Sequence, residues 1–414
     1  MVQKAYDWKN GAVLEDHSRR KHKIIGEYFY DYLLVRCRRP QQSLFRLAII
    51  DGFAGGGRYQ CGSPGSPLIF IEELVRANST VNLSRIDQGL PPVSFQCLLI
   101  VNDFDPEVIN ILRENVSPLV ARIKETNQNI NLQVKFLTSP FEKAFIEIEK
   151  ILNSEKYTNV VFNLDQCGHS LVEVDTVKKI VSSYPSAEIF FTFAIQSLIA
   201  FLQKSDPSKL IRYGVGKEEL AVLNGPLNRE EWLGLAERIV FETFSKFAGF
   251  VSPFSIHNPN GWRYWLLHMA NRSFRARQVF NDVLHRNKNM QAHFGRSGLN
   301  MLAYNPDNDA NALYLFGEED RKAATEELIY DIPRFVTDSG SEMPLSDFYR
   351  QVYNGTPAHS DDIHAAIIES SEVQAVTRHG GVRRKGTSIR AEDVLKLKPQ
   401  RSFFPMLAKK NKKP

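Results

Sequence analysis

Four short stretches of this chain set acids, glycines and small polar residues where they could hold a nucleoside-bearing ligand. The first is Asp51-Gly-Phe-Ala-Gly-Gly-Gly57. Its glycines would let the backbone approach a ligand closely and take positive φ angles. The acid at its head cannot be core filler, because a buried carboxylate needs a donor or a cation. Asp51, Gly52, Phe53, Ala54, Gly55 and Gly57 are therefore read as a ligand-binding turn. The second stretch holds Asp103 and Asp105. Two carboxylate oxygens suit both hydroxyls of a ribose, and Asp103 is favoured for that task; Asp105, just before Pro106, can instead cap a helix. The spacing from Asp51 far exceeds the roughly 20 residues of a dinucleotide fingerprint, which argues against NAD. In the third, Ser139 and Phe141 would offer an adenine a hydroxyl and an aromatic face, or simply begin a helix. The fourth is Asp165-Gln-Cys-Gly-His169. A lone cysteine such as Cys167 is more often a small buried hydrophobe than a nucleophile. His169 can accept a proton or cap a turn.

These stretches need elements to position them. Residues 13–38 have the apolar spacing of a helix, and Leu44–Ile50 that of a buried strand leading into the glycine turn. A helix from Ser66 to about Ala77 precedes a polar loop, Asn78–Pro92. Strands follow at Phe95–Asn102, Leu132–Leu137, Asn159–Leu164 and Glu188–Phe193. Helices lie between them, starting at Pro106, after Pro140 and at Val172. Near-continuous apolar strands alternating with helices predict an α/β fold with a parallel sheet covered on both faces. Ligands bind beyond the carboxyl ends of such strands, where all four stretches fall. Phe250–Ile256 and Arg263–Ala270 read as two further, antiparallel strands. Leu202–Asn228 reads as an insertion, Glu230–Phe247 as a helix and Asn305–Asn311 as a polar break. Trp262–Trp265 and the basic Arg272–Arg277 mix aromatic and cationic groups, but the alternation of Tyr264–Met269 reads as a two-sided buried strand rather than a nucleic-acid surface. On the first helix His17 and Lys21 share a face, which with His22 reads as solvated or as a lid.

From Ala323 the pattern changes to helices at Ala323–Asp338, Ser346–Tyr353 and Ser360–Ser370. Strands at Val373–Thr377 and Ile389–Leu397 flank the basic tip His379-Gly-Gly-Val-Arg-Arg-Lys-Gly386. This is the order of a winged helix. The chain is thus divided into residues 1–318, 319–404 and a basic tail, 405–414. The formal charge of +5 over 414 residues is uneven. From Arg378 onward 12 Lys and Arg face two acids, so this end is expected to meet polyanions, with Arg383, Arg384 and Lys385 as its nucleic-acid contacts. The four cysteines are widely spaced, which excludes a short-spaced zinc or redox motif and favours reduced thiols. No signal peptide or membrane-length apolar run is evident, and a cytoplasmic protein that meets no membrane is expected.

The Asp51–Gly57 turn resembles the first motif of class I S-adenosylmethionine methyltransferases. That resemblance implies that the glycines make room for the methionine part of the cofactor, with Asp51 near its amino group. Asp165–Gly168 stands where amino-methyltransferases carry Asp/Asn-Pro-Pro-aromatic, which implies that Asp165 orients the acceptor as the catalytic residue. Together with Glu15-Asp-His-Ser-Arg-Arg-Lys-His22 and Gly62-Ser-Pro-Gly-Ser-Pro67, the turn is similar to the three-Cys-motif partner proteins (TcmP). Residues 343–404 resemble the winged helix-turn-helix that commonly ends such chains. The resemblance implies a Rossmann-like methyltransferase fold, a bacterial origin and an operon partner carrying three cysteines like those of radical S-adenosylmethionine proteins. The expectation is a methyltransferase acting on or beside nucleic acid, with a DNA-binding winged helix. The alternative is a non-catalytic DNA-binding or assembly subunit with a degenerate domain. The family usually shows Asp-Pro-Phe-Gly where this chain has Asp165-Gln-Cys-Gly168, a departure on the acceptor side of the site.

Overall fold

The computed structural model describes residues 6–166, 171–193, 217, 221, 225, 235, 238–239, 241–256, 264–288, 290–302 and 313–399. Cys167, Gly168 and His169, most of the 202–228 insertion, the 305–311 break and the 405–414 tail lie outside the described residues. The chain divides into two compact units: residues 1–296 with 301–317, and residues 297–300 with 318–414.

In the first unit α1 (Asp16–Arg36) leads to β1 (Leu44–Asp51), α2 (Ser66–Asp87) and β2 (Ser94–Asp103). Then come α3 (Pro106–Thr126), β3 (Ile130–Thr138), α4 (Phe141–Ser154), β4 (Asn159–Leu164), α5 (Val174–Ser183) and β5 (Ser186–Phe193). After the largely undescribed connection, β6 (Phe250–Ile256) and β7 (Tyr264–Ala270) form a hairpin, followed by α6 (Phe274–Arg286), β8 (Gln291–Phe294) and β9 (Leu313–Tyr314). The strands lie in the order β3-β2-β1-β4-β5-β7-β6-β8-β9. Strands β1 to β5 run parallel, and β7 pairs antiparallel with both β5 and β6. An open parallel sheet with β7 reversed between β5 and β6 is the Rossmann-like methyltransferase fold, as expected.

Both faces of this sheet are covered. Ala48, Ile50, Leu98, Ile100, Phe162 and Leu164 join a core with Phe145 and Ile148 of α4 and Val177 and Ile180 of α5. Their alternates Leu47, Ile49, Leu99 and Val101 are buried as well, which explains why these strands are apolar at every position rather than every second one.

Two helices run longer than their sequences suggest. The polar stretch from Asn78 was expected to be a loop, yet α2 continues to Asp87 because its polar side chains turn inward. Asn82 brackets the backbone of Val93, accepting from its N–H at 2.8 Å and donating to its carbonyl at 3.2 Å. Arg85, 4% exposed, donates to the carbonyls of Pro91, Arg39, Pro40 and Gln42. Similarly, α3 passes its expected end near Asn115 and buries Val116 and Ile123. The basic 272–277 stretch leads into α6, which Ser273 caps.

The second unit contains α7 (Glu318–Asp338), β10 (Glu342–Pro344), α8 (Leu345–Val352), α9 (Ser360–Glu369), β11 (Val373–Val376) and β12 (Val394–Leu397). A stripe on α7 of Ala324, Leu328, Ile332 and Val336 is buried at helical spacing. The three strands form an antiparallel sheet in the order β10-β12-β11, and β10 was not evident from sequence. Among the described residues no helix is long and apolar enough to cross a membrane.

Candidate functional site

Asp51 and Asp103 are the last residues of β1 and β2, Ser139 follows β3, and Asp165 follows β4. The parallel register brings these carboxyl ends together: Asp51 is paired with Val101 and Asn163, and Asp103 with Thr138. Asn102 laces this edge. Its side-chain amide donates to the carbonyls of Gly52 at 3.1 Å and Ser139 at 3.0 Å, and its backbone carbonyl accepts from Ala54 N–H at 2.9 Å. Asp103 adds a second tie by accepting from Gly55 N–H at 3.2 Å. Sequence reasoning missed Asn102; its signal was an amide that ends the apolar run Cys97–Val101 just before Asp103. Asp105 caps α3 by accepting from Glu107 N–H at 2.9 Å.

The turn requires glycine where its backbone is left-handed. Gly55 has φ +60° and Gly57 φ +83°, and a methyl on Gly57 would come within 2.7 Å of Leu112. Outside Gly55 and Gly56 lies the indole of Trp8, so close that a side chain on Gly55 would overlap it. Trp8 belongs to an irregular segment, with a turn at Lys9-Asn10, that lies across the glycine turn. At one end Ala12 accepts from Gln60 N–H at 2.8 Å. Towards the other, Lys9 pairs with Asp105 and Glu107 at the start of α3. Tyr6, Trp8, Tyr59 and His22 form a run of ring contacts under this strap, with centroid distances of 4.9 Å for Trp8–Tyr59 and 5.8 Å for His22–Tyr59. On the far side Phe141 lies against Gly52 and 5.6 Å from the ring of Phe53.

Asp51 is completely buried, and burial raises its carboxyl to about 7. Ser66 and Asn163 temper that rise without making a well-formed hydrogen bond. One oxygen accepts weakly from Phe53 N–H at 3.4 Å. The other, and both amide atoms of Asn163, have no hydrogen-bond partner among the described residues. Burial also raises Asp103. Asp165 is opposite in character: burial acts to raise it, but the charge and hydrogen bond of Lys21, with Thr192, outweigh that and hold it below the usual carboxylate range. Lys21 reaches it from α1 and forms an ion pair. Beside them His22 is pushed down to about 3, by burial first and by Lys21 second, and is neutral. Ser18, Lys21 and His22 are all buried, so the solvated-face reading of this part of α1 does not hold.

Gln166 turns away from the edge, its carbonyl accepting from the N–H groups of Leu171 and Val172 at 2.9 and 3.0 Å. Arg383, Arg384 and Lys385 belong to the second unit, on the tip between β11 and β12. Arg383 is held by Asp393 through two hydrogen bonds of 2.9 Å, whereas Arg384 and Lys385 are exposed. Among the described residues no cluster of His, Cys, Asp and Glu is placed to hold a metal ion.

No protein-family profile matches the chain. No curated protein matches it either. Among solved structures, a candidate O-methyltransferase from Klebsiella pneumoniae aligns over 63% of this chain and 92% of its own, at 11% identity and a TM-score of 0.25. A likeness at that score carries no argument, and the fold rests on the chain's own strand order.

Proposed function

We propose that this chain binds S-adenosylmethionine and is a methyltransferase, or a cofactor-binding relative of one, that works on or beside nucleic acid. The observation that carries this reading is the set of unpartnered polar atoms on Asp51 and Asn163 beside a glycine turn. A buried carboxylate oxygen next to an amide with free donor and acceptor suits an ammonium-bearing group, which would stabilise the ionised acid. In this reading residues 51–57 hold the methionine end, Asp103 the ribose, Ser139 lies near the adenine and Trp8 covers the glycine turn. The bound cofactor would supply an electrophilic methyl on a sulfonium. Asp165 would orient the acceptor rather than take its proton, because its carboxyl is held ionised and weakly basic. Residues 319–404 would act as a winged helix on DNA. A three-Cys-motif protein would be the partner.

The test is calorimetric titration of the full chain with S-adenosylmethionine and S-adenosylhomocysteine, with Asp51→Asn as the control. Saturable binding that the variant weakens at least tenfold is expected. A folded wild-type protein that gives no heat of binding would remove the cofactor from the reading.

One observation favours a second reading, a non-catalytic subunit: Asp165 is already engaged by Lys21, so an acceptor must compete for it. Cofactor binding without methyl transfer to DNA, RNA or a partner protein would support that role.

A further inference from the structure

A cavity opens at the end of the sheet opposite the glycine turn. Its volume is about 780 Å³, and its lining includes Leu44 and Asn159, the first residues of β1 and β4. The length of β1 separates it from the glycine turn by roughly 20 Å, too far for one small ligand to occupy both.

Its chemistry is cationic. Arg36, Arg39, Arg46 and Arg275 line it, and none is ion-paired among the described residues. Arg36 donates to the side-chain carbonyl of Asn159, Arg46 to the backbone carbonyl of Glu155 at 2.9 Å, and Arg275 to Gln278 at 2.5 Å. Arg36 and Arg46 also lie over the rings of Tyr32 and Tyr157, 5.9 and 4.8 Å from their centroids, but no acid neutralises the four charges. The lining acid, Glu188, is turned onto the hydroxyl of Tyr28 and lies 3.4 Å from His268 Nε2. It therefore does not answer the arginines. Tyr32, 4% exposed, also lines the cavity, and its hydroxyl has no hydrogen-bond partner among the described residues.

The N-terminus of α6 adds to the imbalance. Ser273, Arg275 and Ala276 bring the start of this 13-residue helix to the cavity wall. A helix start carries positive partial charge and favours acids. Here the first turn holds no acid and does hold Arg275. Cations gathered at a positive helix end repel one another unless an anion sits among them.

We propose that this cavity is a binding site for a small phosphorylated ligand, of nucleotide or polyphosphate size, distinct from the glycine-turn site. Planar guanidinium groups match phosphate oxygens in paired hydrogen bonds. The volume falls in the range of small-molecule pockets, about 300–1,000 Å³.

The experiment titrates the full chain, with excess S-adenosylhomocysteine present to occupy the glycine-turn site, at constant ionic strength with tripolyphosphate, ATP and adenosine as separate arms. Tripolyphosphate and ATP should each saturate one site and raise the melting temperature, whereas adenosine should not. Binding by ATP alone would place the base as well as the phosphates in the site. Arg39→Gln/Arg275→Gln changes two exposed side chains and should weaken binding at least tenfold while S-adenosylmethionine binding is unchanged. Arg275→Glu guards against misfolding: an acid at a helix start should keep or raise the melting temperature of the ligand-free protein while removing the ligand-induced rise. Equal affinity in the variants, a retained rise in Arg275→Glu, or no saturable binding by folded protein would overturn the proposal. So would a duplex DNA that binds through the same arginines when tripolyphosphate does not.

Discussion

Lys21 and Asp165 show how far a site residue can depend on a side chain that looks ordinary in sequence. Lys21 is buried and Asp165 half-buried, so each alone would be a costly charge; together they are an ion pair, and removing one partner of a buried pair typically costs about 3–5 kcal/mol. Lys21→Met should therefore lower stability by roughly 3 kcal/mol in urea denaturation. Lys21→Met/Asp165→Leu should recover much of the loss, because no unpaired charge remains. If the double variant is no more stable than the single one, the pair does not act as a unit. Asp51 behaves differently. Its carboxyl rises from 3.8 to about 7 in the folded chain, which at about 1.4 kcal/mol per unit makes its ionisation cost on the order of 4 kcal/mol. Below pH 3.8 the group is protonated in both states and contributes nothing. Between about 4 and 7 the unfolded chain releases this proton first, so stability falls as pH rises; above about 7 the penalty is constant. Asp51→Asn should flatten that part of the stability curve and melt higher than wild type at pH 8. Parallel curves for the two proteins across pH 4–8 would show that Asp51 is not the group responsible.

At the scale of elements, legibility followed polarity. The parallel strands were readable because burial on both faces makes them apolar throughout, and Asp51, Asp103 and Asp165 stood out against those runs. The convergence of these acids at one sheet edge follows from parallel topology alone. What could not be read was structure built from polar groups that find partners only in three dimensions. The last turns of α2 carry Asn78, Asn82 and Arg85 and so look like a loop. The Trp8 strap and the Asn102 clamp join residues distant in sequence, and β8 to β10 are too short to carry a period. Arg85 gives this point a test. It satisfies four carbonyls from two loops, and hydrogen bonds from a charged donor contribute roughly 1.5–3 kcal/mol each at most, with buried carbonyls left unmet in its absence. Arg85→Met should destabilise the first unit by about 3 kcal/mol and leave cofactor affinity unchanged. Loss of affinity at full stability would instead give Arg85 a part in the site.

For the molecule as a whole, the question is what the basic C-terminal region meets. Not every cation there is available. Arg383 is committed to Asp393, which is 2% exposed, so Arg383→Gln should chiefly unsettle the tip. Arg384 and Lys385 are exposed and, among the described residues, without an ion-pair partner. Helix α9, which would face DNA in the proposed winged helix, carries Asp361 and Asp362 in its first turn; Asp361 and Glu369 are exposed, while Asp362 is buried on Arg321. Acids on the presented face of a reading helix repel phosphate, so in a nucleic-acid complex the tip would carry most of the electrostatic attraction. Each phosphate contact contributes about 0.9 to the slope of log affinity against log salt concentration on duplex DNA. Arg384→Gln/Lys385→Gln should therefore lower that slope by about 1.8, measured by fluorescence anisotropy with labelled duplex across several salt concentrations. An unchanged slope would take DNA away from the tip and favour a protein partner, which the acidic residues of α9 would suit.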